Sequence, residues 1–232
     1  MAKNVQTPDD VQIASMNYRQ STVGDLLAPG PGTPWEDRSS IGAIPAFFKT
    51  VVQSMTSPGT LLHSLRRPET SGDARTFVLI CGLFWGLGWV LTDYLVFRQS
   101  REEFDFTTDG EKMILHFFLG FLGTWGILVL VTRLFYKLVS AGEMKAKAPP
   151  VLFYNVYAYC LGPSILALIP YYIGFGVALA WILCLFIYAA IHRLAVKTNG
   201  AIICNIIAVV GIVGSLTALY LLLHVVFRWL YT

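Results

Sequence analysis

Long apolar runs separated by short polar stretches occupy the last two-thirds of this chain, and a polar, Gly/Pro-rich stretch precedes them. Each run is long enough, as a helix rising about 1.5 Å per residue, to cross a hydrocarbon core of about 30 Å, although the third is short. The pattern predicts five transmembrane spans, at residues 76–97, 113–136, 152–169, 171–191 and 201–227. Pro163 and Pro170 predict a kinked third span and a tight hairpin with the fourth.

The polar stretch divides into two predicted parts. Residues 1–40, with a Pro/Gly run from Pro29 to Pro34, predict an extended tail. Residues 41–75 predict an amphipathic helix, followed after Ser57-Pro58 by a second short helix. The first helix has one apolar face at a period of 3.6, and it would either lie in the lipid interface or pack on the protein's own helices. That face comprises Ile41, Ile44, Phe47, Phe48, Val51, Val52 and Met55, and the opposite face comprises Lys49, Thr50, Gln53 and Ser54.

The predicted fold class is therefore all-α. We expect a polytopic membrane protein with five transmembrane helices in residues 76–232, an amphipathic juxtamembrane helix before them, and an extended N-terminal tail. Composition agrees, since 55% of the residues are hydrophobic, only 13% are charged and the mean hydropathy is +0.60. A soluble domain carries about 25% charged residues.

The distribution of Lys and Arg predicts the orientation in the membrane. Thirteen of them fall on the side of the N-terminus and four on the other side. Because Lys and Arg are enriched in cytoplasmic loops, we expect a cytoplasmic N-terminus and an outside C-terminus. The net charge of +3 follows this pattern, so it indicates no nucleic-acid partner.

Candidate contact residues lie in the N-terminal region. Trp35 and the pair Phe47-Phe48 are either anchors in the headgroup region or part of a docking face for another protein. Arg66 and Arg67 favour contact with anionic lipid, because each basic residue near such a surface gains about 1 kcal/mol. Membrane lipid is thus one predicted partner, and other membrane proteins, in a homo-oligomer or a larger complex, are another.

Three ionisable residues fall near the outer ends of the spans: Asp93, His116 and His224. They share a predicted depth and could converge on a metal, a haem or a proton path, since intramembrane ionisable groups are functional candidates. Each also lies within about one turn of an interface, where a side chain simply reaches water. The sequence favours this interpretation, in which the three side chains reach water at the interface, so it predicts no metal and no cofactor.

Signals of catalysis are missing from the sequence. It contains no GxSxG, no phosphate loop with Lys, no HExxH and no EF-hand loop. The four cysteines lie in separate apolar runs without a CxxC pair, which is typical of packing residues. We therefore predict that the protein is not an enzyme and has no catalytic residues.

Several short motifs resemble those of the Yip-domain family, which is named for interaction with Ypt/Rab GTPases. They are Pro34-Trp35-Glu36-Asp37-Arg38, Phe47-Phe48-Lys49-Thr50, Ser57-Pro58-Gly59 and Tyr159-Cys160-Leu161-Gly162-Pro163. Their order matches the family layout over residues 34–227, and the chain is similar to the bacterial branch. The resemblance implies a five-span protein of the bacterial cytoplasmic membrane with a cytoplasmic N-terminus. The eukaryotic relatives are non-enzymatic adaptors in vesicle traffic.

The sequence thus favours a non-catalytic membrane adaptor or organiser that binds partner proteins or lipid through its N-terminal region. The alternative is a structural accessory subunit of a larger membrane complex. A transporter or channel is a further alternative, for which Asp93 would have to line a wet cavity.

Overall fold

The computed structural model describes residues 28–66, 70–100, 108–141, 149–170, 172–194 and 196–210. Within these ranges the regular structure is helical, and no strand occurs. The all-α prediction is therefore confirmed for the described part of the chain. Of the predicted tail, residues 1–27 lie outside it.

Three short helices precede the apolar bundle. They are α1 (Arg38–Ile41), α2 (Ala43–Thr56) and α3 (Pro58–His63). Gly42, with φ of 89°, separates α1 from α2 in a conformation that suits glycine. Pro58 occupies the first turn of α3, as the Ser57-Pro58 pair predicts.

Two long helices follow, α4 (Gly72–Ser100) and α5 (Thr108–Ala141). With 29 and 34 residues, they are about 43 and 51 Å long and extend beyond the predicted bounds at both ends. Close glycine contacts join them. A Cβ on Gly86 would lie 2.7 Å from the Phe117 carbonyl oxygen, so the two backbones approach as in small-residue helix pairs.

The third predicted span is broken. Helix α6 (Pro150–Tyr159) is followed by a 3-10 segment, Gly162–Leu168, and the two are bent by 40°. Pro163 lies at the start of the 3-10 segment, which explains the break because proline interrupts helical hydrogen bonding. Helix α7 (Tyr172–His192) then returns as a fourth span.

Three helices, α4, α5 and α7, are long and apolar enough to cross a membrane, and the bent α6 pair brings the number to four. The predicted fifth span begins as helix α8 (Thr198–Val210), and its remainder lies outside the described residues. The described part of the chain thus supports three or four of the five predicted spans. These apolar helices identify an integral membrane protein.

The helix ends define two sides of the bundle. We call the side where α4 begins, α5 ends and α6 begins the basal end, and the opposite side the apical end. Asp93 and His116 lie at the apical end, and the N-terminal helices pack at the basal end. Among the described basic residues, Arg98 and Lys112 are apical, whereas Arg38, Lys49, Arg66, Arg75, Arg133, Lys137, Arg193 and Lys197 are basal. The basal end is the one that the charge rule predicts to be cytoplasmic.

Candidate functional site

A capping box organises the chain just before α1. The Thr33 backbone N–H donates to the Glu36 carboxylate at 2.7 Å, and the Glu36 N–H donates to the Thr33 hydroxyl at 3.2 Å. This reciprocal pair fixes the start of a helical turn. The spacing Thr33-x-x-Glu36 is the sequence signature of this motif, and it was not among the features predicted from the sequence.

Trp35 is buried, with 2% of its surface exposed. Its indole N–H donates to the Asp73 carbonyl at 2.9 Å, which ties it to the first turn of α4. The Arg38 guanidinium lies over its ring at 4.9 Å and pairs with the Asp73 carboxylate at 2.6 Å. In this conformation Trp35 holds the N-terminal segment on the bundle and presents no surface to an outside partner.

Arg66 makes a second link within the N-terminal segment. Its guanidinium donates to the Pro31 carbonyl at 2.7 Å and to the Asp37 carboxylate at 2.6 Å. Its backbone N–H donates to the Glu36 carboxylate at 3.1 Å. The side chain predicted to meet lipid is therefore occupied by internal contacts, and Arg67 lies outside the described residues.

A third link joins α3 to the end of α7. The buried Arg193 donates from Nε to the Leu62 carbonyl at 2.9 Å. Partial burial, then the nearby charges of Arg193 and His192, lower the pKa of His63 at this junction. Burial and nearby positive charge both disfavour the protonated form of His63.

The pair Phe47-Phe48 is divided by the orientation of α2. Phe47 is 5% exposed, and its ring packs 5.4 Å from both Phe77 and Phe84 of α4. Phe48, the next residue, is 46% exposed. Only Phe48 is placed to contact a partner or lipid.

The rotation of α2 about its axis differs from the predicted one, so the prediction of its buried and exposed faces is wrong in part. Thr50 and Ser54, expected on the polar outer face, are buried, and their hydroxyls donate to the carbonyls of Ala46 and Val51. These small, internally satisfied side chains let α2 approach the 3-10 segment, where Gly162 faces Ser54. As a result, half of the apolar face points away from the protein.

That outward half forms a continuous stripe, which we call the α2 stripe. Its members in α2 follow helical spacing and have exposed fractions of 72% for Ile44, 46% for Phe48 and 57% for Val52. Ile41, the last residue of α1, is 37% exposed and is counted with them. A contiguous exposed apolar surface marks an interaction site more often than scattered apolar residues do. The α2 stripe is therefore the candidate docking surface.

At the apical end, the structure brings two of the three predicted ionisable residues together. The Asp93 carboxylate lies 2.5 Å from Nδ1 of His116, so the pair links α4 to α5. Their side chains are 22% and 39% exposed. His224 lies outside the described residues, and within the described ranges no group of three metal-ligating side chains occurs.

Polar residues of α6 also make contacts between helices. The Tyr157 hydroxyl donates to the Asn205 side-chain oxygen of α8 at 2.8 Å, and the Asn155 amide donates to the Thr70 carbonyl at 2.7 Å. The first of these joins two helices, and such interhelical hydrogen bonds hold transmembrane bundles together. The second joins α6 to the residues just before α4.

Taken together, these features define the class as an all-helical integral membrane protein whose N-terminal helices are fastened to its basal end. Comparison with protein-family models, curated proteins and solved structures gives no match. The resemblance to the Yip-domain family therefore rests on the motifs and their order.

Proposed function

We propose that this chain is a non-catalytic membrane adaptor or organiser of the Yip-like type, which binds partner proteins or lipid through its N-terminal region on the cytoplasmic side. The observation that carries the proposal is the exposed α2 stripe. Fully burying one such side chain contributes roughly 1.5–3 kcal/mol, so leaving four partly exposed is costly unless something covers them.

The contacts around the stripe support a docking role. The capping box, Trp35 and Arg66 fix the position of α2, and so its apolar stripe is presented in one orientation. A preorganised surface binds with less loss of conformational entropy than a flexible one. The Pro34–Arg38 motif thus makes its contacts inside the protein, where it supports the position of α2.

A photo-crosslinking amino acid at position 48 tests this function, with the same group at the exposed Thr60 as the control. In native membranes, we expect crosslinks from position 48 to lipid or to a defined protein, and far fewer from position 60. Equal, solvent-quenched yields at both positions would contradict a docking role. If the crosslinks lead to a single protein, and that protein copurifies with this chain at a fixed stoichiometry, the accessory-subunit alternative is favoured.

A further inference from the structure

A pocket lies at the basal end between α4, α5 and α6, away from the α2 stripe. Its volume is about 670 Å³, within the range of about 300–1,000 Å³ found for ligand sites. Its lining comprises Ser71, Arg75, Trp125, Val129, Thr132, Arg133, Tyr136, Lys137, Pro150, Val151 and Tyr154. We call it the basal pocket.

Three cations converge on the basal pocket: Arg75 from α4, and Arg133 and Lys137 from α5. None of them forms an ion pair within the described part of the chain, and none of the described lining residues is acidic. Arg133 and Lys137 are also four residues apart on one helix, a spacing at which like charges repel.

The other basal arginines behave differently. Arg38 and Arg66 each pair with an aspartate, and Arg193 donates to a backbone carbonyl. The three cations of the basal pocket, by contrast with Arg38 and Arg66, form no ion pair among the described residues. A cluster of this kind attracts an anion.

Polar groups around the cations suit a phosphate. The Tyr154 hydroxyl is buried without a hydrogen-bond partner among the described residues, although the Trp125 indole is near enough to interact with it. Helix α6 begins at the pocket with Pro150, and the positive end of a helix dipole favours anions. A phosphate here would receive donors from three helices.

The apolar part of the basal pocket favours a lipid over a free phosphate compound as the ligand. Trp125 and Val129 continue the lining along α5 toward the middle of the span. From Lys137 to Trp125 is twelve residues, or about 18 Å of helix. A soluble phosphate compound has no group that could lie along this wall, whereas the acyl chain of a phospholipid does.

We propose that the basal pocket binds an anionic phospholipid. Arg75, Arg133 and Lys137 bind the headgroup phosphate, and the Tyr154 hydroxyl donates to it. One acyl chain runs along Trp125 and Val129. Basic pockets between transmembrane helices recognise anionic headgroups by this combination of charge and apolar surface. The proposal stands independently of the α2 stripe and of the adaptor function.

Native mass spectrometry of the full chain in mild detergent tests the proposal, with phosphatidylglycerol and phosphatidylcholine of identical acyl chains as probes. We expect one phosphatidylglycerol bound at least tenfold more tightly than phosphatidylcholine. Arg133→Gln and Lys137→Gln should each weaken phosphatidylglycerol about fivefold, the equivalent of about 1 kcal/mol per charge. Tyr154→Phe should weaken it by a smaller factor.

Arg98→Gln is the matched control, because it removes an exposed arginine at the apical end, and it should leave the affinity unchanged. Equal binding of both lipids would overturn the proposal, as would a preference that the basal substitutions do not reduce. Competition by glycerol phosphate or inorganic phosphate at the lipid's own concentration would show that the ligand is a soluble phosphate compound, which also overturns it. Substitutions in the α2 stripe should not change any of these values.

Discussion

Phe47 and Phe48 provide a matched pair that tests how the N-terminal segment is held. Phe47→Ala removes a buried ring that packs against Phe77 and Phe84, and such a truncation costs about 3–5 kcal/mol. Phe48→Ala removes a ring that is 46% exposed. Since a full burial is worth about 1.5–3 kcal/mol, we expect at most about 1.5 kcal/mol for this second change.

Amide hydrogen exchange of the full chain in nanodiscs measures the difference, because local opening free energies set the exchange rates. At about 1.4 kcal/mol per factor of ten, Phe47→Ala should speed exchange in α2 by about 100- to 4,000-fold. Phe48→Ala should speed it by at most about tenfold. Equal effects, or a larger effect of Phe48→Ala, would refute the packing described for α2.

Three further predictions concern the rest of the chain. Gly86→Ala should lower the free energy of unfolding of the detergent-solubilised protein by about 1–3 kcal/mol, because the added Cβ meets a backbone carbonyl. Gly123→Ala should not lower it, because Gly123 has open space around it. Equal losses would contradict the α4–α5 contact. A double-mutant cycle with Asp93→Asn and His116→Gln should give a coupling of about 0.2–1 kcal/mol, and zero coupling would show that the pair is not formed. The pKa of His63 is lowered in the folded protein, so protonation of His63 favours separation of α3 from the end of α7. The contact between α3 and α7 should therefore weaken as the pH falls below the unfolded pKa of about 6.5. Proteolysis of the N-terminal segment at each pH measures this, and His63→Gln should remove the pH dependence.

The long apolar helices could be predicted from the sequence because hydrophobic length alone requires them. The break at Pro163 was predictable for a similar reason, since a proline inside a helix removes one of its backbone hydrogen bonds. Helix ends were less predictable. Both α4 and α5 continue beyond the apolar runs, because polar residues extend a helix at little cost once it has formed.

The orientation of α2 could not be predicted from periodicity. Its apolar residues cover a wide arc, and either edge of that arc could have packed on the bundle. The choice depends on a close approach between Ser54 and Gly162, which are about a hundred residues apart in sequence. The contact of Asp93 with His116 depends likewise on the register of two helices, so the sequence suggested only a shared depth.

The burial of Trp35 could not be predicted from the sequence either. An aromatic residue beside charged neighbours is typical of both a membrane anchor and a buried support, and the hydrogen bond to Asp73 distinguishes them. Burial of this kind depends on a contact between residues far apart in the chain. It could not be read from the composition of the Pro34–Arg38 motif.

A spin-label accessibility scan along residues 43–56 of the full chain in nanodiscs tests the central claim most directly. If the α2 stripe is presented to lipid or a partner, labels at Ile44, Phe48 and Val52 should collide with oxygen at a period of 3.6 residues. Labels at Phe47 and Val51 should be protected from oxygen and from a water-soluble reagent alike. A flat profile, or maxima at Phe47 and Val51, would contradict the account.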